Sequence, residues 1–491
     1  MQVYAAFQMD RCRVHSTANI AELIGVHRDT ILRWLRKGLI PEPKRDWRGW
    51  RVFTKQEADR ILRFAKGTKP PTRVREAAAT YTPVPTLTRL CGINWDFLDA
   101  KTIYLTHGLH PYPAKFIPQI PNALIQELSS VGESVADIFC GSGTTLVEAL
   151  VLKRHAVGLD ANPLACLISE AKTARVDGRD IEILNDTVQR ALKMGNTVSL
   201  HSKGSLFGPS SFVSQAPRPA DDAIGFWFDR FVIEEIAEAL AWCRELDSEP
   251  SRKLALAALS AIIVVVSRQD SDTRYVRREK PVSPGDVFLK FAHALSATTR
   301  AASEFTDLVE PCYRCIVHNT NILTKPDIGQ VDLVVCSPPY PNAFSYHLYH
   351  MTRMLWLGMN QKQFKIEEIG SHRKYSSNGS SRATIGTFRK EMETVFEWLR
   401  RTLKKSRHAC FVVGNSTIKG EVVNNADLIS SAAKKFGFLE VARISRNMLD
   451  SRKAFNPAIG KIKTEQILIL QNEGGYGETD SMSDETLRAA V

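Results

Sequence analysis

Four consecutive residues have the side chains and backbone best suited to chemistry, namely Ser337, Pro338, Pro339 and Tyr340. They follow an apolar run, residues 331–336, whose composition predicts a strand buried on both faces of a parallel sheet. Two successive prolines fix φ and remove two backbone donors, so the carbonyl groups of Ser337 and Pro338 point in set directions. A hydroxyl acceptor, a rigid carbonyl and an aromatic ring can grip a flat ring that bears an amino group. Open α/β sheets place ligands at such strand ends.

A second group of residues suits the binding of a charged cofactor. Residues 134–145 predict a short apolar strand, a turn with Gly141 and Gly143, and the start of a helix. Glycine lets the backbone approach a ligand closely, and a helix N-terminus favours a carboxylate. Asp160, at the end of the next strand, can accept hydrogen bonds from both hydroxyls of a ribose. A nicotinamide dehydrogenase would carry a third glycine where this chain has Leu146.

Together these groups resemble the motifs of the amino-methylating DNA methyltransferases, whose catalytic loop is (Ser/Asn/Asp)-Pro-Pro-(Tyr/Phe). The string Asp137-x-Phe139-x-Gly141-x-Gly143-Thr144, with Gly-Leu-Asp-Ala-Asn-Pro at 158–163, is similar to the family's S-adenosylmethionine motif. The resemblance implies that residues 337–340 are catalytic. It also implies that the cofactor contacts Lys115, Phe116, Asp137, Phe139, Gly141, Gly143, Thr144, Asp160, Asn162 and Asn321. Asn319 or Asn321 stands where the family carries an acid near the adenine, and the stretch 315–323 of this chain contains no acid.

The resemblance further implies methyl transfer from S-adenosylmethionine to the exocyclic amine of a flipped base in double-stranded DNA. The serine variant of the motif is seen mostly in enzymes that methylate N4 of cytosine, so that base is expected, with N6 of adenine as the alternative. The cofactor motif precedes the catalytic motif here, whereas many cytosine-N4 enzymes have the opposite order. A cytosine-C5 enzyme would need a Pro-Cys nucleophile at a strand end, and Pro311-Cys312 does not fit such a place.

Other functions remain open at this stage. An RNA or protein methyltransferase can share the cofactor site, and a DNA-binding regulator can use the fold as a ligand sensor. The intact Ser-Pro-Pro-Tyr loop argues against a sensor, which has no use for a grip on an amine. The sequence contains no convincing set of nuclease catalytic residues. In a restriction-modification system, a separate restriction endonuclease would therefore be the partner.

The N-terminal segment predicts a DNA-binding module. Between residues 16 and 67, 12 Lys or Arg stand against 6 Asp or Glu, a balance that favours polyphosphate partners. Two short helices separated by a glycine predict a helix-turn-helix, with Gly-Leu-Ile-Pro at 38–41 and Gly-Trp-Arg at 49–51 resembling the MerR-type winged helix. The alternative is a small three-helix packing module. Expected DNA contacts are Arg28, Thr30, Arg33, Arg36, Arg48 and Arg51.

The fold class expected is α/β, a Rossmann-like methyltransferase fold with a mostly parallel seven-stranded sheet ending in an antiparallel hairpin. A winged helix-turn-helix domain and a helical insert accompany it. The expected divisions are a DNA-binding domain (1–67), a linker (68–100), a cofactor-binding half (101–173), a helical insert with target recognition (174–310), a catalytic half (311–472) and a disordered tail (473–491). Within the insert, Arg274, Tyr275, Arg277, Arg278 and Lys280 can follow a phosphate backbone or form a solvated basic loop.

The composition of the chain limits the class of protein, its location and its use of metals. The chain has 491 residues, 44% hydrophobic and 24% charged, with a formal net charge of +12. No segment approaches the roughly 18 apolar residues of a membrane span, and the start lacks the order of a signal peptide, so a cytoplasmic, nucleoid-associated bacterial protein without membrane partners is expected. The nine cysteines include one Cys-x-x-Cys, Cys312 and Cys315, without a second pair at zinc spacing. No metal site is expected.

Overall fold

The computed structural model describes residues 15–24, 26, 28–36, 39–45, 51–67, 86–98, 100–204, 212–220, 223–342, 344–376, 382–418, 421–448 and 464–474. The chain divides into two compact units. The first comprises Met1–Val84 with Phe97–Tyr104, and the second comprises Pro85–Asp96 with Leu105–Val491.

The first unit is built around three helices, α1 (Thr17–Ile24), α2 (Arg28–Arg36) and α3 (Lys55–Gly67). Strand β1 (His15–Ser16) pairs antiparallel with β2 (Val52–Phe53), and an isolated bridge joins Arg45 to Arg51. The apolar positions at helical spacing are buried together, since this small core contains Ile20, Ile31, Leu35, Phe53 and Ile61. Two helices therefore lie where the sequence predicts them. The assignment to the MerR type stays a prediction, and the wing turn expected around Gly49 lies outside the described residues.

The second unit contains all remaining elements. Its helices are α4 (Thr86–Cys91), α5 (Gln119–Leu128), α6 (Thr144–Val151), α7 (Pro163–Thr173), α8 (Gly178–Gly204), α9 (Ala223–Trp227), α10 (Arg230–Glu245), α11 (Glu249–Val266), α12 (Asp286–Leu308), α13 (Tyr346–Tyr349), α14 (Met351–Leu357), α15 (Gln361–Glu367), α16 (His372–Ser376), α17 (Ile385–Thr402) and α18 (Asn425–Lys434). Its strands are β3 (Ser134–Asp137), β4 (His155–Asp160), β5 (Gln269–Ser271), β6 (Arg274–Arg277), β7 (Cys315–Asn319), β8 (Val331–Cys336), β9 (Leu403–Gly414), β10 (Ser416–Ile418), β11 (Glu421–Val423), β12 (Phe438–Asn447) and β13 (Thr464–Asn472).

One seven-stranded sheet organises this unit, in the order β12-β13-β9-β8-β3-β4-β7. The neighbours from β9 to β7 run parallel, whereas β13 is antiparallel to both β9 and β12. The predicted mostly parallel seven-stranded sheet with a final antiparallel hairpin is confirmed. All six residues of β8 are buried, as expected for an apolar strand covered on both faces. The strand order reverses between β3 and β8, which is where open sheets leave a crevice for ligands.

The predicted helical insert contains α8 to α12 and a hairpin formed by β5 and β6. Its apolar side chains form one core that also includes Ala171 of α7 and Trp356 of α14. The insert is therefore packed as a layer of the second unit. The apolar periodicity of residues 231–246 and 253–267 predicts two helices, which correspond to α10 and α11, whereas it does not predict the long α8 and α12.

The predicted linker, residues 68–100, differs from the structure at its C-terminal end. Residues 86–91 form α4, and Trp95 is buried. Arg446 of β12 donates to the Trp95 carbonyl at 3.0 Å, and the Asn447 amide donates to Asp96 at 2.7 Å. Residues 85–96 accordingly belong to the second unit. Residues 68–85 and most of the predicted tail, from 475 onward, lie outside the described residues. Among the helices described, none is long and apolar enough to cross a membrane.

Candidate active site

The carboxyl ends of β3, β4 and β8 border a cavity with about 1040 Å³ of empty space, its open mouth included. Most of the predicted site residues line it. The predicted residues on its wall are Lys115, Phe116, Phe139, Gly141, Thr144, Asp160, Asn321, Ser337, Pro338, Pro339 and Tyr340. Two motifs separated by nearly 200 residues of sequence thus meet in one cavity, as the sequence predicts for a catalytic loop and a cofactor turn.

The Ser-Pro-Pro-Tyr loop is anchored at its C-terminal end. The Tyr340 hydroxyl donates to the Val412 carbonyl of β9 at 3.3 Å. Asn342, with φ of 62°, donates through Nδ2 to the Thr417 carbonyl at 2.7 Å, and its amide donates to the Gly370 carbonyl at 3.0 Å. These bonds fix the loop between β9 and the segment that follows α15, so the rings and carbonyls of the loop are held in place.

The glycine turn shows why small residues are needed. Gly141 and Gly143 have φ of 48° and 74°, values that side chains rarely adopt. A Cβ on Gly143 would lie 2.8 Å from Ser169 Oγ, and one on Gly141 would lie 3.3 Å from the Tyr112 ring. Helix α6 begins at Thr144, directly after the turn. The turn can therefore bring backbone amides and a helix N-terminus against a ligand.

Asp160 ends β4 at the cavity wall. Its Oδ2 accepts from the Gly141 amide and its Oδ1 from the Asn162 amide, both at 2.8 Å. Each carboxylate oxygen keeps capacity for a further donor, such as a ribose hydroxyl. Burial raises the pKa of Asp160 to about 6, so the carboxylate is ionised at neutral pH.

Three of the predicted cofactor residues support the site without lining the cavity. Asp137 is buried and accepts from the Phe139 amide at 3.2 Å, and burial raises its pKa to about 7. Gly143 provides the turn before α6. Asn162 caps α7 by accepting from the Leu164 amide at 3.0 Å. These three residues therefore hold in place the residues next to them in the chain, which line the cavity.

The wall residues that sequence reasoning missed include Tyr112, Phe344, Tyr346 and Glu368. The Tyr112 ring stacks on Tyr346 with centroids 5.7 Å apart. Buried Glu368 accepts from the Tyr346 amide and from His347 Nδ1, which fixes the start of α13. Tyr112 lies in the Pro-rich segment that contains Lys115, so it had a local signal. Glu368 had none, because its role depends on a contact across more than 20 residues.

The predicted DNA contacts belong to the first unit. Arg28, Thr30, Arg33 and Arg36 all lie on α2. Arg51 Nε lies 2.6 Å from Glu42 Oε1 in an ion pair. Arg48 is outside the described residues, so these six residues stay predictions as a DNA-contacting set.

S-adenosylmethionine fits the residues of the cavity. The turn at Gly141 and Gly143 would be filled by any side chain, and the Asp160 carboxylate with the adjacent helix start suits a ligand with hydroxyls and a carboxylate. Lys115 donates to the His107 carbonyl at 3.0 Å and lies on the same wall as Phe116. Among the residues that the structure describes, no group of three or more His, Cys, Asp or Glu side chains is arranged to hold a metal ion.

Comparison with known proteins adds an independent finding. Residues 29–171 match the model of a DNA methylase family, a range that includes Gly141 and Asp160 but not Ser337 to Tyr340. The type II methyltransferase M.MjaII of Methanocaldococcus jannaschii is 36% identical over 114 residues, 21% of this chain and 22% of that enzyme. The chain thus spans about a fifth of that relative's length. The type II methyltransferase M.MvaI of Kocuria varians is 22% identical over 77% of this chain and 93% of its own length.

The solved structures similar to this chain include the rRNA methyltransferase aviRa from Streptomyces viridochromogenes. It is 10% identical, and the match covers 74% of this chain and 90% of that chain with a TM-score of 0.29, which is too low to carry an argument. The sequence relatives support an S-adenosylmethionine-dependent DNA methyltransferase and do not favour a regulator. Together with the fit of the cavity, they identify S-adenosylmethionine as the cofactor.

Proposed function

We propose that this protein transfers the methyl group of S-adenosylmethionine to the exocyclic amine of a base in double-stranded DNA, N4 of cytosine. One observation carries the proposal: the Ser337 to Tyr340 loop and the cofactor residues Gly141 and Asp160 line a single cavity. The methyl donor and an amine gripped by the loop would therefore meet. The DNA methylase match of residues 29–171 supports DNA as the substrate.

The target base must leave the duplex to enter the cavity, at an unstacking cost of about a few kcal/mol. Tyr340 would stack on the extruded base, because its ring lines the cavity while its hydroxyl is tied to Val412. Ser337 Oγ and the Pro338 carbonyl would accept hydrogen bonds from the two amine hydrogens. These bonds draw the nitrogen toward tetrahedral geometry and orient its lone pair.

When bound, S-adenosylmethionine supplies an electrophilic methyl group, so that a new N–C bond forms, the sulfonium S–C bond breaks and one amine proton is lost to solvent. The residues of the loop form no covalent bond with the base. Catalysis by this chain then rests on positioning and on preorganised acceptors. The anchoring of Tyr340 and Asn342 to β9 and β10 supports that role.

Cytosine is the proposed base because the loop begins with serine, the variant that the family resemblance associates mostly with N4 of cytosine. Adenine N6 methylation would use the same grip and is an outcome of the test. We also propose a role in restriction-modification, with a separate endonuclease as partner, and the similarity to type II methyltransferases supports it.

The first unit is proposed to bind duplex DNA through α2. Three of the six proposed residues are arginines of α2, and a helix rich in arginine suits the major groove. In the full-length protein, Arg33→Gln with Arg36→Gln should lower the slope of DNA affinity against salt by about 2, because each phosphate contact contributes about one unit. An unchanged slope would show that α2 does not contact phosphates.

The test of the catalytic proposal uses purified protein, S-adenosylmethionine with a labelled methyl group, and duplex DNA. We expect label in DNA with the wild type and none with Ser337→Ala combined with Tyr340→Ala. Calorimetric titration of S-adenosylmethionine is the control, since both proteins should bind it. Label in RNA or protein but not in DNA would contradict the proposal.

A further inference from the structure

A row of aromatic rings leads away from the cavity. Phe344 lines the wall, and its ring lies 6.0 Å from Tyr349, edge to face. Tyr349 in turn lies 6.3 Å from Tyr275, on the β5–β6 hairpin. The Arg373 guanidinium is 5.6 Å from the Tyr275 ring centroid and donates to the Tyr275 hydroxyl at 2.5 Å. Three rings and a cation thus extend from the site at which a base would be held.

The hairpin also carries exposed positive charge. Arg274, Arg277 and Arg278 have side chains that are 48%, 42% and 73% exposed. Asp270 pairs with Arg274 at 3.6 Å and with Arg278 at 3.3 Å, and Glu279 pairs with Arg277 at 3.0 Å. The arginines are the exposed members of the two Asp270 pairs, since the Asp270 side chain is only 11% exposed, and their guanidinium groups can exchange a carboxylate for a phosphate.

Hydrogen bonds attach the hairpin to the helices that follow the catalytic loop. Gln269 Nε2 donates to the Tyr349 carbonyl at 3.0 Å, and the Thr352 hydroxyl donates to Gln269 Oε1 at 2.9 Å. Arg353 is fully buried, donates to the Ser260 carbonyl at 2.9 Å and pairs with Asp272 of the hairpin. A buried charge held this way is costly to separate, so the hairpin keeps its position relative to α13 and α14.

We propose that Tyr275, Tyr349 and Arg373, with the arginines of β6 and its following residue, form a docking surface for the DNA strand next to the extruded base. This inference rests on the proposed function and deepens it by naming where the flanking nucleotides bind. Aromatic rings alternating with cations are suited to single-stranded nucleic acid, because bases stack on rings and phosphates meet the cations. Stacking of this kind tolerates any base, so the surface contributes affinity and orientation and leaves the choice of methylated base to the cavity.

The experiment measures binding of a fluorescently labelled DNA duplex to the full-length protein. Tyr275→Ala should weaken binding about tenfold, the scale of losing one stacked base. Arg277→Gln with Arg278→Gln should lower the salt slope of binding by about 2. With saturating S-adenosylmethionine, both variants should raise KM for DNA more than they lower kcat, and the methylated base should be unchanged.

Arg179→Gln is the matched control. Arg179 is exposed, and its neighbour Asp180 accepts from Ser251 at 2.7 Å in the first turn of α11. The hairpin follows the last turn of α11, and an 18-residue helix is about 27 Å long. This substitution makes the same Arg→Gln change at one position far from the proposed surface and should leave DNA affinity unchanged. Tyr275→Phe, which keeps the ring, guards against a folding defect, as do melting curves of every variant.

Two failures are separable. If the wild type methylates DNA while Tyr275→Ala and the double arginine variant bind as tightly as Arg179→Gln, the docking surface is wrong and the proposed function stands. If the wild type methylates no DNA, the proposed function fails, and the binding data still decide the surface. Binding of single-stranded RNA in preference to DNA through these residues would overturn the choice of partner.

Discussion

Replacing Gly370 by alanine should slow methyl transfer although Gly370 does not line the cavity. Gly370 has φ of 72°, and a Cβ there would lie 2.7 Å from the Tyr340 carbonyl oxygen and 3.0 Å from its carbonyl carbon. Because ordinary contacts are longer, the Tyr340 backbone must move by several tenths of an ångström. A 1 Å misplacement can cost about 100-fold in rate, so a fall in kcat of about tenfold is expected.

The chain offers a control with the same backbone strain. Gly329 has φ of 73°, and nothing lies within 4 Å of the place where its Cβ would be. The left-handed conformation should cost either alanine variant roughly 1–2 kcal/mol of unfolding free energy. Only Gly370→Ala should also disturb the Ser337 to Tyr340 loop.

The assay compares kcat for transfer of labelled methyl groups to DNA, and the dissociation constant of S-adenosylmethionine, in both variants. Cofactor affinity should be nearly unchanged in both, since Gly141 and Asp160 lie on other segments. Equal kcat for the two variants would refute the reasoning that Gly370 holds the catalytic loop in place.

Three further predictions follow from single side chains. Because burial raises the pKa of Asp160 to about 6, the affinity for S-adenosylmethionine, measured by calorimetry, should fall as the pH drops below about 6. Asp160→Asn should remove this pH dependence. A wild-type affinity that does not change with pH would contradict the prediction. Lys172 is fully buried, its amine has no hydrogen-bond partner among the described residues, and burial lowers its pKa well below the usual value. At neutral pH the unfolded state then binds more protons than the folded state, so the unfolding free energy rises with pH up to about 10. Lys172→Met should raise the unfolding free energy at pH 7 by about 1–3 kcal/mol and reduce its dependence on pH, both measured by urea titration. A lower unfolding free energy in the variant would contradict the prediction. Tyr340→Phe, which keeps the ring but loses the bond to Val412, should retain most of the methyl transfer that Tyr340→Ala abolishes; equal loss in both would show that the ring does not stack on the base.

The sequence predicts the parts of the site whose functional residues are close together in the chain. Residues 337–340 follow a fully buried strand, and Gly141 and Asp160 stand at the ends of two neighbouring strands, so strand prediction alone brings them to one sheet edge. Because β8 is mostly apolar, its position as a buried strand in the middle of the sheet was predictable. The glycines in the turn were informative because their positive φ values are ones that residues with a side chain rarely adopt.

The remainder depends on contacts between distant segments, which local patterns do not encode. The backbone bond from Asn342 to Gly370 and the pairing of Glu368 with His347 form only once the chain has folded. The basic stretch around Tyr275 gave no sign that it would form a hairpin attached through Gln269 to α13. Composition suggested a solvated loop equally well, because both structures expose arginines.

Nucleoside mass spectrometry of host DNA, after expression of the wild type and of Ser337→Ala, tests the central claim most directly. The account predicts N4-methylcytosine with the wild type and its loss in the variant, because Ser337 Oγ is proposed to hold the amine at the cavity. N6-methyladenine would keep the site and change the base. A wild type that leaves no methylated base in DNA would contradict the account.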